Sequence, residues 1–285
     1  MQRPPILPGS PEHTRLISPS KVPAICNISR WESQYTIWHR LKGLIGEQPP
    51  QDIFNVGLAF EHALAEMWRQ DNPGWRLSRG EVQYTSNRFG FPAVATIDRR
   101  GTRYRHQRVV EFKIARSLEA WGDPTLDGDC PADYALQVMA QMAFSGIHQA
   151  DLSVMGPFFK HHTYTIAWDE TVASWMLGEC KWFWDSLSGS VPPPLDDSLS
   201  TYETVRLQHP DIIGGLEVEI PESLATDWRT ARSDSNQAER TLRGLKTKVL
   251  DAVGNAQLVT CNGEVVAKRQ PHGRGGVALA LKGKD

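Results

Sequence analysis

The stretch Val94–Ile114 constrains this chain more than any other. It runs Val94-Ala95-Thr96-Ile97-Asp98, then a basic turn, then Val109-Val110-Glu111-Phe112-Lys113-Ile114. Both halves are rich in β-branched and aromatic residues, and Gly101 stands between them, so each half predicts a strand. Side chains alternate along a strand. Glu111 and Lys113 therefore share a face, and Phe112 enters the opposite layer. Pairing of the two halves as a hairpin sets Asp98 beside Glu111, so that two carboxylates and an ammonium converge on one spot of a sheet surface.

Carboxylates held close together repel unless a cation lies between them. Their hard oxygens suit Mg2+ or Mn2+. A neighbouring lysine can orient or deprotonate a water, and it can offset charge developing on a phosphate. An isolated Glu-x-Lys is also an ordinary solvated pair on a strand. The Asp closing the preceding strand and the apolar residues around both acids favour the first reading.

The charge balance narrows the partners. With 31 Lys+Arg against 33 Asp+Glu the net charge is -2, so no overall basic field advertises nucleic acid. A contact with DNA must come from a local patch, and Arg99–Arg108 is one: Arg99, Arg100, Arg103, Arg105 and Arg108 surround Tyr104 and His106. Hydrophobic residues make up 40% and charged residues 22%, as in an ordinary globular chain. Cys26, Cys130, Cys180 and Cys261 are scattered with no C-x-x-C spacing, which speaks against a zinc ribbon or a local cluster motif. No apolar run is long enough to span a bilayer and no signal peptide is evident, so free thiols in a cytoplasmic setting, with no membrane association, are expected.

Around the central stretch the periodicity predicts a series of elements. Ser18 or Ser20 is placed to cap a helix starting near Pro19 or Lys21, and a serine-lined helix start beside Arg15 also suits a phosphate. Trp31–Gly43 predicts a helix and Gly46–Asp52 a loop. Phe54–Gln70 predicts a helix with Phe60, Leu64, Met67 and Trp68 as its apolar stripe and Glu61 beside it. Glu81–Asn87 predicts a strand. Pro131–Gly146 predicts a helix burying Leu136, Met139, Ala140, Ala143 and Phe144, with Tyr134, Gln137 and Gln141 on another face. Two strands, Ala150–Met155 and His162–Trp168, precede a helix capped by Asp169, with Val172, Trp175, Met176, Cys180 and Phe183 turned inward. The adjacent His161 and His162 point opposite ways on a strand and cannot chelate one ion.

Four segments are expected. An extended Pro-rich arm covers 1–14, a core 15–190, and a linker and connection 191–220 that includes Pro192-Pro193-Pro194. An appendage follows over 221–285. Within it Pro221–Val253 predicts a long helix in which Ala238, Leu242, Leu245 and Val249 form a seam. Gln257–Lys268 predicts a hairpin turning at Asn262-Gly263, and Val277–Leu281 a final strand.

The order of these elements resembles the PD-(D/E)XK nuclease superfamily, in its lambda exonuclease and YqaJ-like viral recombinase branch. The matching residues are Arg15 with Ile17-Ser18-Pro19-Ser20, then Gly57-Leu58-Ala59-Phe60-Glu61, then Asp98, then Glu111-Phe112-Lys113, then Tyr134-Ala135-Leu136-Gln137. They span residues 15–187 together with the strand-strand-helix ending. The motifs are short, and five in the right order on the right kinds of element are what makes them specific.

The resemblance implies an α/β fold, a central mixed sheet flanked by helices as in restriction endonucleases, with the C-terminal helix and hairpin appended. It implies a Mg2+- or Mn2+-dependent DNA exonuclease of a phage-type recombination system, acting 5′ to 3′ on linear duplex ends by a two-metal mechanism. Asp98 and Glu111 would bind the metal, with the Phe112 carbonyl as a further ligand. Lys113 would position the attacking water, and Glu61 would support a second metal. Gln137 would hold a water at the metal or the scissile phosphate, with Tyr134 beside it. Arg15, Ser18 and Ser20 would take the 5′-phosphate, although the Arg-to-Ser spacing is short for the family. Arg99, Arg103 and Arg105 would meet DNA. A homo-oligomer, with a ring as one form, and a single-strand annealing partner are further implications. The alternatives are an endonuclease or iron–sulfur exonuclease of the same fold, or a nuclease fold retained for DNA binding alone. The scattered cysteines weigh against the iron–sulfur form, and the complete set Glu61, Asp98, Glu111 and Lys113 weighs against the inactive one.

Overall fold

The computed structural model describes residues 5–7, 9–46, 52–271 and 276–281. The Gly46–Asp52 loop and the Pro-rich arm lie partly outside the described residues. The chain divides into two compact units, Met1–Ile212 and Ile213–Asp285.

In the first unit the order is α1 (Pro11–Thr14), a 3-10 turn (Pro19–Lys21), α2 (Val22–Ile25), α3 (Gln34–Leu41) and α4 (Asp52–Asp71). Next come β1 (Arg76–Leu77), β2 (Val82–Ser86), β3 (Ala93–Ile97), β4 (Arg99–Arg103) and β5 (His106–Ile114). The unit ends with α5 (Ala132–Ser145), β6 (Gln149–Met155), β7 (His161–Ala167), α6 (Glu170–Ser186) and α7 (Leu199–Gln208). A five-stranded sheet has the order β1-β4-β5-β6-β7. Its β5–β6 ladder is parallel, joined through α5, and the other ladders are antiparallel. The sheet is therefore mixed, as expected.

Helices cover both faces. On one side Leu64 and Trp68, four apart on α4, pack onto Val110, Phe112 and Met155. On the other, α2, α5 and α6 close the main core over Val109, Ala150, Leu152 and Val154. Phe112 thus enters the layer opposite its neighbours Glu111 and Lys113. Trp68 is fully buried, and its indole N–H donates to Asp151 at 2.9 Å. Truncating such a side chain to alanine typically costs ~3–5 kcal/mol.

The central hairpin forms with different partners from those expected. β3 pairs with β2, and the partner of β5 is β4, built from residues expected to be a basic turn. Alternation explains the difference. Arg99 and Gly101 face inward on β4, and a Cβ at Gly101 would meet the Trp68 ring at 3.3 Å and the Trp75 ring at 3.4 Å. The reversal comes instead after Arg103, where Tyr104 adopts a left-handed φ of 54°.

α6 also departs from expectation in part. Asp169 caps it, accepting the Thr171 and Val172 N–H groups, and Met176, Cys180 and Phe183 are buried. Val172 and Trp175 are exposed, and Ala173 takes an inward place. The 191–220 connection is not all linker, because α7 lies within it. Hydroxyls fasten α7 to α3: Thr201 donates to Ser33 at 2.7 Å, Ser200 donates to Thr36 at 2.7 Å, and Thr36 and Thr204 lie 2.8 Å apart.

In the second unit α8 (Glu222–Val253) is followed by a three-stranded antiparallel sheet of β8 (Leu258–Cys261), β9 (Glu264–Pro271) and β10 (Val277–Leu281). Asn262 and Gly263 make the β8–β9 turn with φ of 49° and 82°, the positive pair that a two-residue hairpin turn requires. Among the described residues, no helix is long and apolar enough to cross a membrane.

Candidate active site

The register of β4 and β5 builds the site. Arg99 lies opposite Val110, which brings Asp98, at the β3–β4 junction, to the level of Glu111. The Phe112 backbone N–H donates to Asp98 Oδ2 at 2.8 Å and fixes that carboxylate at the strand edge. Val82 lies opposite Ile97 in the β2–β3 ladder, so Glu81 falls across from Asp98. α4 supplies Glu61. One oxygen each of Glu61, Glu81 and Asp98 lie within 4.8 Å of one another, a group able to hold a metal ion.

Glu111 is buried and carries its own set of donors. Lys113 Nζ donates to its Oε1 at 2.6 Å and Gln137 Nε2 to the same oxygen at 2.7 Å. Gln141 Nε2 donates to Oε2 at 2.6 Å. The two amides come from successive turns of α5, four residues apart on one face. Gln137, expected at a metal-held water or a phosphate, thus donates to Glu111 here. The Lys113 ammonium lies 5.7 Å from the centre of the Tyr134 ring, which stacks on Trp121 and meets the Arg30 guanidinium at 5.3 Å. Asp133 holds that guanidinium through two bonds of 2.9 Å.

The electrostatics reflect crowded negative charge. Burial, and then the Glu111 charge, hold the Asp98 carboxyl well above the usual carboxylate range, against the opposing pull of Lys113. Burial also raises Glu61, with Glu81 and Glu111 adding to it and Arg99 opposing. For Lys113 burial pulls downward, but the Glu111 and Asp98 charges outweigh it and the ammonium is held above its ordinary value. It remains a cation at neutral pH.

The other expected residues are distributed differently. Arg99 is buried, with Nη1 at 3.7 Å from Glu61, so it is absent from the exposed basic patch. Arg108 also turns inward, onto Asp151 at 2.8 and 3.0 Å. Arg103 and Arg105 are exposed near the β4–β5 turn. Counted along β5 from His106, that turn is about 17 Å from Glu111, at about 3.4 Å per residue, so these arginines do not line the acids. Ser18 is buried with its hydroxyl 3.1 Å from that of Ser20, and Ser20 and Arg15 are exposed. No side chain caps the helix after them: a 3-10 turn intervenes, and Ser18 makes no capping bond. That turn packs against α5.

Glu81 and Gln141 complete the site and were not among the candidate residues. Gln141 stood on the same helix face as Gln137, and their spacing of four was the available signal. Glu81 carried none, because only the β2–β3 register sets it opposite Asp98.

A mixed sheet flanked by helices, with an acid closing one strand, a Glu-x-Lys on the next and a glutamate from a preceding helix, is the arrangement that the resemblance to PD-(D/E)XK nucleases implies. The sequence narrows the class: residues 11–148 match the YqaJ-like viral recombinase domain. That segment is similar to the family, and the match supports a nuclease. No curated protein sequence matches the chain. Among solved structures, an alkaline exonuclease from Laribacter hongkongensis is similar to it at 16% identity. That match covers 61% of this chain and 89% of the other, with a TM-score of 0.49. The same enzyme in complex with dAMP matches at 15% identity, over 69% and 94% of the two chains, with a TM-score of 0.46. A phage-related exonuclease from Haemophilus somnus 129PT matches at 10% identity, over 61% and 95%, with a TM-score of 0.42.

Proposed function

We propose that the chain is a divalent-cation-dependent exonuclease that degrades one strand of linear duplex DNA from its 5′ end, in a recombination system of the phage type. The observation that carries this reading is the meeting of Glu61, Glu81 and Asp98 beside the buried Glu111 and its half-buried partner Lys113.

The donor set fits a hard divalent ion. It offers carboxylate oxygens only, and the raised Asp98 and Glu61 mark negative charge in want of a cation. Glu61, Glu81 and Asp98 would hold Mg2+ or Mn2+. Glu111 and the Phe112 carbonyl are the further ligands that the family resemblance implies, as it implies a second metal. When bound, the ion supplies positive charge to the phosphodiester under attack.

The protein's own groups do the rest. Lys113, kept protonated by its acidic neighbours, orients the attacking water and offsets charge on the phosphate rather than acting as a base. Gln137 and Gln141 hold Glu111 in place. Tyr134, stacked on Trp121, walls the Lys113 side. Arg15 and Ser20, with Ser18 behind, are the proposed seat for a 5′-phosphate, and Arg103 and Arg105 would meet duplex backbone away from the cut. A single-strand annealing protein is the partner proposed from the family.

The test is digestion of end-labelled linear and closed circular duplex DNA with Mg2+. Loss of 5′ label from linear DNA alone, abolished in Asp98→Ala and Glu111→Ala, is expected. Cleavage of circles would make the protein an endonuclease, and activity in both variants would refute the site. A 5′-phosphorylated end should be degraded faster than a 5′-hydroxyl end. Equal rates would remove Arg15 and Ser20 from the reading.

A further inference from the structure

Not every arginine of β4 and its neighbour β1 is used by the fold. Alternation turns Arg99 and Gly101 toward α4, so Arg100 and Thr102 point to the opposite face. Arg100 lies opposite Val109 in the β4–β5 ladder, and Val109 shares its face with Glu111, two residues on. β1 widens the row: Arg76 lies opposite Thr102, and the Ser78 N–H donates to the Arg100 carbonyl at 2.9 Å. The Ser78 hydroxyl accepts the Arg100 N–H at 3.0 Å and donates to the Gly80 carbonyl at 2.7 Å, which fastens the two strands there. Arg76, Leu77, Ser78, Arg100 and Thr102 line an open cleft of about 250 Å³.

The chemistry of this cleft suits an anion. Among the described residues neither Arg76 nor Arg100 makes an ion pair, whereas Arg99 has Glu61 and Arg108 has Asp151. Arg100 Nε is buried and has no hydrogen-bond partner. A buried donor in that state is costly, and a guanidinium meets a phosphate through two parallel N–H bonds. No carboxylate lines the cleft to compete for them. Its place suits the backbone of a nucleic acid rather than a free phosphate ion. Arg100 is two residues from the level of Glu111 along the ladder, about 7 Å, and Thr102 four residues, about 14 Å. A DNA strand carries one phosphate per about 3.4 Å of helix axis. A strand with one phosphate at the acids and running along β4 therefore brings another into the cleft about two to four linkages away.

We propose that this cleft holds a backbone phosphate of the DNA strand being cut, about two to four linkages beyond the scissile one, and so sets the register of the strand at the acids. The proposal deepens the reading of the site as a DNA exonuclease and rests on it. It is tested on the full chain by fluorescence anisotropy with a 5′-phosphorylated linear duplex in EDTA, where binding is read without cleavage. Arg76→Gln with Arg100→Gln should weaken binding by about tenfold or more, equally for different sequences. The slope of log affinity against log salt should become shallower by about one. Arg76 is exposed, so Arg76→Gln alone keeps the fold and should show part of both effects. Neutral methylphosphonate linkages, placed singly along the cut strand, locate the contact. One at about the third to fifth linkage from the 5′ end should weaken binding by the wild type and leave the double variant unaffected. An unchanged salt slope would overturn the proposal. So would equal sensitivity of wild type and variant at every linkage, the result for a cleft that takes only free phosphate, or a wild type that does not bind the duplex. A wild type that binds with the expected pattern but leaves DNA intact in Mg2+ would support the cleft and refute the nuclease reading.

Discussion

Gln141→Leu isolates what holds Glu111 in place. Gln141 is fully buried, and its amide gives Glu111 Oε2 a bond of 2.6 Å, the one side-chain donor seen at that oxygen among the described residues. Leucine keeps most of the volume and the helix, so the change removes a donor rather than opening a cavity. A hydrogen bond to a charged group contributes about 1.5–3 kcal/mol, and the stranded oxygen bears the desolvation cost. A loss of about 2 kcal/mol lowers the melting temperature of a unit of this size by about 4–8 °C. Urea denaturation of the wild type, Gln141→Leu, Glu111→Gln and the double variant, in EDTA, measures it. The loss should fall below about 1 kcal/mol once Glu111 is neutral, because an uncharged oxygen is far cheaper to leave unmatched. Equal losses in both backgrounds, a coupling under about 0.5 kcal/mol, would show that Gln141 packs but does not hold the carboxylate.

Asp98→Asn should stabilise the protein in EDTA at neutral pH while abolishing nuclease activity. The sign follows from the raised folded value: Asp98 contributes stability below its unfolded value of about 4 and loses it as pH climbs through the folded one. Melting curves of the wild type should therefore fall more steeply with pH than those of the variant, and superimposed slopes would contradict this. Lys113→Ala should lower the cleavage rate by about two orders of magnitude or more, the range for removing a charge-stabilising group; an unchanged rate in single-turnover digestion would dismiss its role. Asp151→Ala strands the Arg108 guanidinium and the Trp68 indole N–H behind the sheet. It should cost about 3 kcal/mol in denaturation, since Arg108 keeps some exposure, and a neutral outcome would mean that the network contributes little.

The legible parts of this fold are those governed by local rules. Helix α5 was readable because its apolar positions recur at helical spacing and Gly146, at φ 76°, ends it. The Asn262-Gly263 turn was readable because few dipeptides tolerate two positive φ angles. Asp98 meeting Glu111 needed only that adjacent strands run antiparallel, and it survived the exchange of β3 for β4 as the partner of β5 because Asp98 sits at their junction. Arg99 and Arg108 depart from the expected basic patch for the complementary reason. A charge in a sequence carries no mark of its partner, and Arg108 finds Asp151 43 residues away. Arg99 is buried beside Glu61, and Gly101, two residues on, has no side chain to hold β4 away from the Trp68 and Trp75 rings. The run of arginines that looked like a DNA-facing turn is therefore partly a structural brace. Its inward members hold the acids and the sheet in register, and the exposed ones stand far enough from Glu111 that any hold on DNA through them must reach duplex beyond the bond being cut.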